Sequence, residues 1–241
     1  MISPTGIKAI LFDLDGTLRH HLPSGGEVFH NYAISLGFLI GEEDRTRAAR
    51  WEHYYFANSP DIKTDKKKFI SQKFENDGFW INFARRRLIV MGCSPAQAVE
   101  FAPQFSAHMA ETYKPQVHIP EEAPAILAGM KSAGYLLGMV SNRDKPFDDQ
   151  LEEMGLRSYF DFTLAGGEVN AFKPERAIFD EALRRAGTIA PETMYVGDNY
   201  FADVVGSLRA GLRPVLYDPV HIFPDAECAV IRSFEQLPSL L

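Results

Sequence analysis

Two carboxylates separated by one residue, Asp13 and Asp15, close the apolar run Ile10-Leu11-Phe12 and lead into Gly16. Along a strand, residues i and i+2 point to the same face, so both acids are predicted to project together from a strand end. Like charges so placed repel unless a cation or a proton joins them, and such a pair is equipped for nucleophilic or acid–base work. Further polar positions flank other expected elements. Ser141-Asn142 follows an apolar run that ends at Val140, where a hydroxyl and main-chain N–H groups can hold an anion's oxygens. Lys173 precedes Pro174 at an expected helix start and offers fixed positive charge, while Asp198 follows Tyr195-Val196-Gly197 with Asp203 five residues beyond it. Each position alone also reads as ordinary turn or cap chemistry. Their conjunction points to one site.

The elements that must position these groups follow from periodicity and punctuation. A strand is expected over residues 8–12, and the stretch His20-His21-Leu22-Pro23-Ser24-Gly25-Gly26 reads as a turn-rich boundary. From there to Tyr113 the pattern is helical, with Phe29, Tyr32, Ala33 and Leu36 on one apolar face and Phe79, Phe83 and Leu88 on another. Ser94-Pro95-Ala96-Gln97 combines a capping residue, a proline at the first helical position and Gln three residues after the cap, which opens the last helix of this block. After Lys114-Pro115 helices and strands alternate: helices over 121–133, 146–154, 174–186 and 201–210, strands over 135–140, 162–165, 194–197 and 214–217. Strands spaced by crossover helices imply an α/β fold, a doubly wound, mainly parallel, Rossmann-like sheet. The core is therefore split, 1–20 and 115–241, around a helical insert over 21–114. Lys63, the run Lys66-Lys67-Lys68 and Arg85-Arg86-Arg87 read as solvated helix faces, because consecutive helical residues do not point the same way. His20 and His21 read as polar linker residues.

The Asp13-Leu14-Asp15-Gly16-Thr17 segment after its apolar run, the Ser141 strand end, Lys173 and the Gly197-Asp198 to Asp203 segment resemble, in order and strand context, the motifs of the haloacid dehalogenase-like hydrolase superfamily. The resemblance covers residues 7–216. It implies that Asp13 is a nucleophile that becomes an aspartyl phosphate and that Asp15 is the general acid and then base. It implies Mg2+ held by the Asp13 carboxylate, the Asp15 main-chain carbonyl and Asp198, with Asp203 at or just outside the metal's ligands. Ser141 and Lys173 would orient and neutralise the transferring phosphoryl group, and Asn142 would add a polar contact. The helical insert resembles the C1-type cap of this superfamily, whose side chains select the leaving group. Dehalogenase relatives carry an aromatic residue at the position of Asp15, and mutase relatives often carry Val at that of Thr17, so this chain is similar to the phosphatase branch. The expected function is that of a Mg2+-dependent phosphatase of a small-molecule phosphomonoester. A phosphosugar mutase-like activity and a catalytically idle binding protein of the same fold are the alternatives. An all-oxygen donor set suits a hard cation such as Mg2+.

Composition is consistent with this. A chain of 241 residues, 46% hydrophobic and 24% charged, is that of an ordinary globular protein with a sizeable core. A net charge of −7 argues against a general nucleic-acid or anionic-membrane binder, and the partner that the resemblance implies is a small-molecule phosphate ester. Cys93 and Cys228 are the only cysteines and are expected as reduced thiols. Residues 1–6 lack a basic targeting signature, and the following apolar run is broken by Asp13 and Asp15, so a cytoplasmic location is expected. The oligomeric state stays open.

Overall fold

In a computed structural model, which describes residues 6–70 and 77–241, the chain begins with β1 (Ala9–Phe12) and β2 (His20–Leu22). Residues 1–5, read above as lacking a targeting signature, lie outside the described residues. Next come α1 (Gly25–Ser35), α2 (Glu42–Phe56), α3 (Pro60–Phe69), α4 (Asp77–Val90), α5 (Pro95–Thr112) and β3 (Gln116–His118). The remainder alternates: α6 (Ala123–Ser132), β4 (Leu136–Ser141), α7 (Asp148–Glu153), β5 (Phe162–Ala165), α8 (Gly166–Val169), α9 (Arg176–Ala186), β6 (Thr193–Gly197), α10 (Val205–Ala210), β7 (Arg213–Tyr217) and β8 (Ala229–Ile231). A π-helical turn, Tyr200–Val204, runs directly into α10, and a 3-10 segment, Phe234–Leu240, ends the chain. The chain divides into two compact units, Met1–His20 with His118–Leu241, and His21–Val117. Among the described residues no helix is long and apolar enough to cross a membrane.

The first unit is built on a six-stranded sheet of order β5-β4-β1-β6-β7-β8, whose neighbouring strands run parallel. All four residues of β1 are buried, as a central strand covered on both faces requires. Alternation sorts its side chains: Ile10 and Phe12 join Leu137, Met139 and Val196 in one core layer, whereas Leu11 joins Val140, Leu164 and Tyr195 in the other. Leu127 and Met130 of α6 and Leu151 of α7 close the first layer, and Ile178, Phe179 and Ala182 of α9 close the second. Strand order matters for function because β4 and β6 flank β1, with Phe12 in register with Met139 on one side and Val196 on the other. The order reverses about β1, and in open α/β sheets ligands bind beyond the strands' carboxyl ends at such a reversal.

Helix α9 begins at Arg176, two residues later than the proline suggested, with Glu175 extended as its cap residue. The helix expected over 201–210 starts instead as the π-helical turn. β2, β3 and β8 are each three residues long and carry too little alternation to be read as strands. β2 and β3 pair as a separate two-stranded sheet. That pairing carries the helical unit to Val117, past the change of pattern at Lys114.

The helical unit has its own cores. Phe29, Ala33, Leu88, Met91 and Phe105 form one, and Tyr55, Ile62, Phe79 and Phe83 another. Ser94 caps α5 as its sequence predicts, accepting from the Gln97 N–H at 3.3 Å while the Gln97 side chain accepts from the Ser94 N–H at 3.0 Å. Lys63 and Lys66 to Lys68 are exposed. Arg87 departs from the expected solvated face: it is buried, ion-paired with Glu52, stacked 4.6 Å from the Phe29 ring centroid and bonded to His30 Nε2 at 3.3 Å. Arg85 and Arg86 are half-buried rather than solvated, Arg85 on the Asn82 side chain at 2.9 Å and Arg86 paired with the buried Asp65 at 2.8 Å, and Arg87 enters the core, where its charge needs partners.

Candidate active site

The site grows from the end of β1. The Asp13 N–H donates to the Val196 carbonyl at 2.9 Å, which carries the β1–β6 ladder one residue past the strand and holds Asp13 at the sheet edge. The chain then turns tightly on Leu14, whose carbonyl accepts from the N–H groups of Thr17, Leu18 and Arg19 at 3.3, 3.0 and 2.8 Å. Leu14 and Leu18 are fully buried and anchor this turn to the core. Gly16 sits at φ +98°, and a Cβ there would run into the Asp198 carboxylate, so only glycine serves at this point.

Lys173 Nζ lies at the centre, 2.5 Å from Asp13 Oδ1 and 2.7 Å from Asp203 Oδ1. All three are almost completely buried, at 2, 6 and 1% exposure respectively. Burial alone would strip the lysine of its proton, but Asp13 and Asp203 outweigh it and hold the ammonium well above its ordinary range. Asn142 fixes the lysine from the main chain, accepting from the Lys173 N–H at 2.6 Å and donating to the Lys173 carbonyl at 2.9 Å. The structure thus gives the Asn142 amide a positioning part. Ser141, buried at the end of β4, stands on the other side of β1 from Asp198.

Asp198 follows β6, and its backbone N–H donates to the Thr17 hydroxyl at 3.0 Å. That hydroxyl lies 3.1 Å from Asp198 Oδ1 and 3.4 Å from Asp13 Oδ2, so one threonine ties the two acids together. Asp203 accepts from the Asn199 N–H at 2.9 Å as well as from Lys173, and it packs against Gly197, where no Cβ could fit. Carboxylate oxygens of Asp13, Asp198 and Asp203 lie within 4.8 Å of one another. One lysine does not balance three acids. Burial first, then the repulsion of Asp203, outweigh the lysine and push Asp13 up to about 7. Asp198 is likewise raised well above the carboxylate range, by burial and by the charges of Asp13 and Asp203. Excess negative charge among clustered hard oxygen donors is the environment a divalent cation relieves, so this donor set fits Mg2+.

Asp15 stands apart from this buried group. Its partners are Arg143, with Nε on Oδ2 at 2.8 Å and Nη2 on Oδ1 at 2.9 Å, and Arg19, with Nη1 on Oδ1 at 2.7 Å. Burial works to raise this carboxyl, but the two guanidinium groups overcome it and hold the group below its ordinary value. His20 braces the turn through a 2.9 Å contact of Nε2 with the Thr17 carbonyl.

Of the residues singled out in the sequence, Asp13, Asp198, Asp203 and Lys173 meet at one point, with Asp15 beside them and Asn142 behind the lysine. The parts of Thr17, Arg19 and Arg143 were not read. Their signals were present, since Thr17 and Arg19 each follow an acid by four residues and Arg143 directly follows Ser141-Asn142.

Comparison with known proteins finds relatives that match most of the chain. The mouse haloacid dehalogenase-like hydrolase domain-containing protein 3 is 29% identical over 211 residues, 87% of this chain and 81% of that protein. Phosphoserine phosphatase of Thermus thermophilus is 27% identical, covering 88% of this chain and 89% of the relative. The crystal structure of 2-haloacid dehalogenase from Pseudomonas syringae pv. Tomato superposes with a TM-score of 0.55 at 26% identity, over 97% of both chains. The model of the family described as haloacid dehalogenase-like hydrolase matches residues 10–216, from the heart of β1 to β7, and the protein belongs to that family.

Proposed function

We propose that the protein is a Mg2+-dependent phosphatase that hydrolyses a small-molecule phosphate ester through an aspartyl-phosphate intermediate. The observation that carries this reading is the division of labour between the two acids of one strand end. Asp13 is buried, gripped on one oxygen by Lys173 and adjacent to Asp198, whereas Asp15 is half-open and held by guanidinium groups. In the first step a carboxylate oxygen of Asp13 attacks phosphorus, the bond to the ester oxygen breaks, and Asp15, in the protonated form that Arg19 and Arg143 disfavour in the resting protein, delivers its proton to that oxygen. In the second, Asp15 takes a proton from water as the water oxygen attacks phosphorus, and Asp13 leaves as carboxylate. Lys173 holds Oδ1 of Asp13 in place, and Lys173 and Ser141 receive the phosphoryl oxygens. Asp13, Asp198 and the Asp15 main-chain carbonyl would hold Mg2+, which would supply positive charge to keep Asp13 ionised and to offset charge on the phosphoryl group. Asp203 anchors Lys173.

The name of the Thermus relative supports phosphate-ester chemistry. The likeness to a dehalogenase structure does not change the reading, because a halide leaves without a proton and would give Asp15 nothing to do. The helical unit, in this proposal, selects the leaving group.

Release of inorganic phosphate from p-nitrophenyl phosphate and a panel of phosphate esters tests the reading. Turnover is expected with Mg2+, restored by Mn2+ after chelation, and abolished in Asp13→Asn. Full activity in excess chelator would refute the metal assignment.

A further inference from the structure

We propose that Arg19 and Arg143 form an anion subsite beside Asp15, so that the preferred substrates are phosphate esters whose leaving group carries a second anionic group, a carboxylate or a second phosphate. The inference rests on the phosphatase reading and adds the substrate class.

Geometry places the two guanidinium groups on the leaving-group side. The turn on Leu14 brings Arg19 back alongside Asp15, where the pair forms an isolated bridge and the Gly16 N–H donates to the Arg19 carbonyl at 2.8 Å. Arg143 reaches the same carboxylate from the end of β4. Its other side-chain contacts are the neutral amide oxygen of Gln150 and the Phe147 ring, 5.5 Å from the ring centroid. That scaffold holds the guanidinium in place before any ligand arrives, which lowers the ordering cost of binding.

Charge favours an anion at this place. Two guanidinium groups share one carboxylate, leaving one positive charge over, and Asp144 and Lys145 next in the chain cancel each other. Arg184 and Arg185, by contrast, are matched by two carboxylates, Glu181 and Glu168. The surplus is accessible: the side chains of Arg19 and Arg143 are 21 and 20% exposed and that of Asp15 42%. A guanidinium presents five N–H donors, and Asp15 takes one from Arg19 and two from Arg143. The remaining donors match the planar, bidentate geometry of a carboxylate or phosphate oxygen pair. Asp15 lies two residues from Asp13, so an anion held there belongs to the group that departs when Asp13 is phosphorylated.

The test uses the full-length protein with Mg2+ and matched ester pairs that differ in one charge. These are phosphoglycolate against 2-hydroxyethyl phosphate, 3-phosphoglycerate against glycerol 3-phosphate, and a pentose 1,5-bisphosphate against its 5-monophosphate. In the wild type, kcat/KM should favour the anion-bearing member of at least one pair by roughly 10- to 100-fold, and the pairs that respond tell carboxylate from phosphate. Arg143→Gln and Arg19→Gln should each shrink that ratio, chiefly by raising KM for the anionic member. Equal loss on both members would mean that the arginines act only through Asp15, and would overturn the proposal. A wild type that hydrolyses p-nitrophenyl phosphate but prefers the anionic member in no pair overturns it without touching the phosphatase reading. Release of phosphate from none of the esters overturns both.

Discussion

Thr17 joins two carboxylates with one hydroxyl, and its loss should be felt at the metal. Thr17→Val keeps the shape but removes the contacts to Asp13 and Asp198 and leaves the Asp198 N–H without its acceptor. Mg2+ affinity measured by titration calorimetry should fall roughly 10- to 100-fold; unchanged affinity would contradict the bridging part given to Thr17. Lys173 sits between two buried acids, so Lys173→Met strands both. A cost of about 3–5 kcal/mol in chemical unfolding is expected without metal, shrinking when Mg2+ is present, and a loss near zero would show that the acids do not depend on the lysine. Asp13, Asp15 and Asp198 were legible because they recur with Ser141 and Lys173 at the ends of apolar runs, a conjunction that turn and cap chemistry does not require. Arg19 and Arg143 were not, since their parts depend on a turn that folds back and on a neighbouring strand, which spacing along the chain does not encode.

Among elements, those with long periodic patterns were the readable ones. Alternating helices and strands after Lys114 indicated the parallel sheet, and strand 162–165 falls where its apolar run and flanking residues place it. Order across the sheet, which brings β4 and β6 to either side of β1, is a tertiary property; so is the burial of Arg87, which looked like one of three exposed arginines. The Arg87 cluster makes a prediction for the helices around it. His30 on α1 is held down to about 4, first by burial and then by the charges of Arg87 and Arg45, and its Nε2 must be unprotonated to accept from Arg87. An unfolded chain protonates this imidazole near 6.5. Stability from neutral His30 is therefore complete above about pH 6.5 and is lost progressively as the pH falls towards 4, where the unfolded chain binds a proton that the folded one refuses. Urea unfolding across that range should show a steeper decline for the wild type than for His30→Gln, and identical slopes would remove His30 from the account.

Over the whole molecule, the division into two units with separate cores predicts separable tasks. Replacing residues 21–117 with a short linker should leave a folded α/β unit that still binds Mg2+ but discriminates poorly among phosphate esters. Discrimination equal to that of the full chain would mean that the helical unit selects nothing. The chemistry itself is read most directly from the mass of the intact protein. Asp13→Asn removes the attacking oxygen, whereas Asp15→Asn leaves it and removes the proton donor and the base that activates water. The leaving group of p-nitrophenyl phosphate needs little protonation, so Asp15→Asn should still be phosphorylated but should hydrolyse the adduct slowly. Intact-mass spectrometry after rapid acid quench, with Mg2+ and p-nitrophenyl phosphate, should then find one added phosphoryl group on Asp15→Asn and none on Asp13→Asn. An adduct on Asp13→Asn would contradict the assignment of Asp13 as the nucleophile.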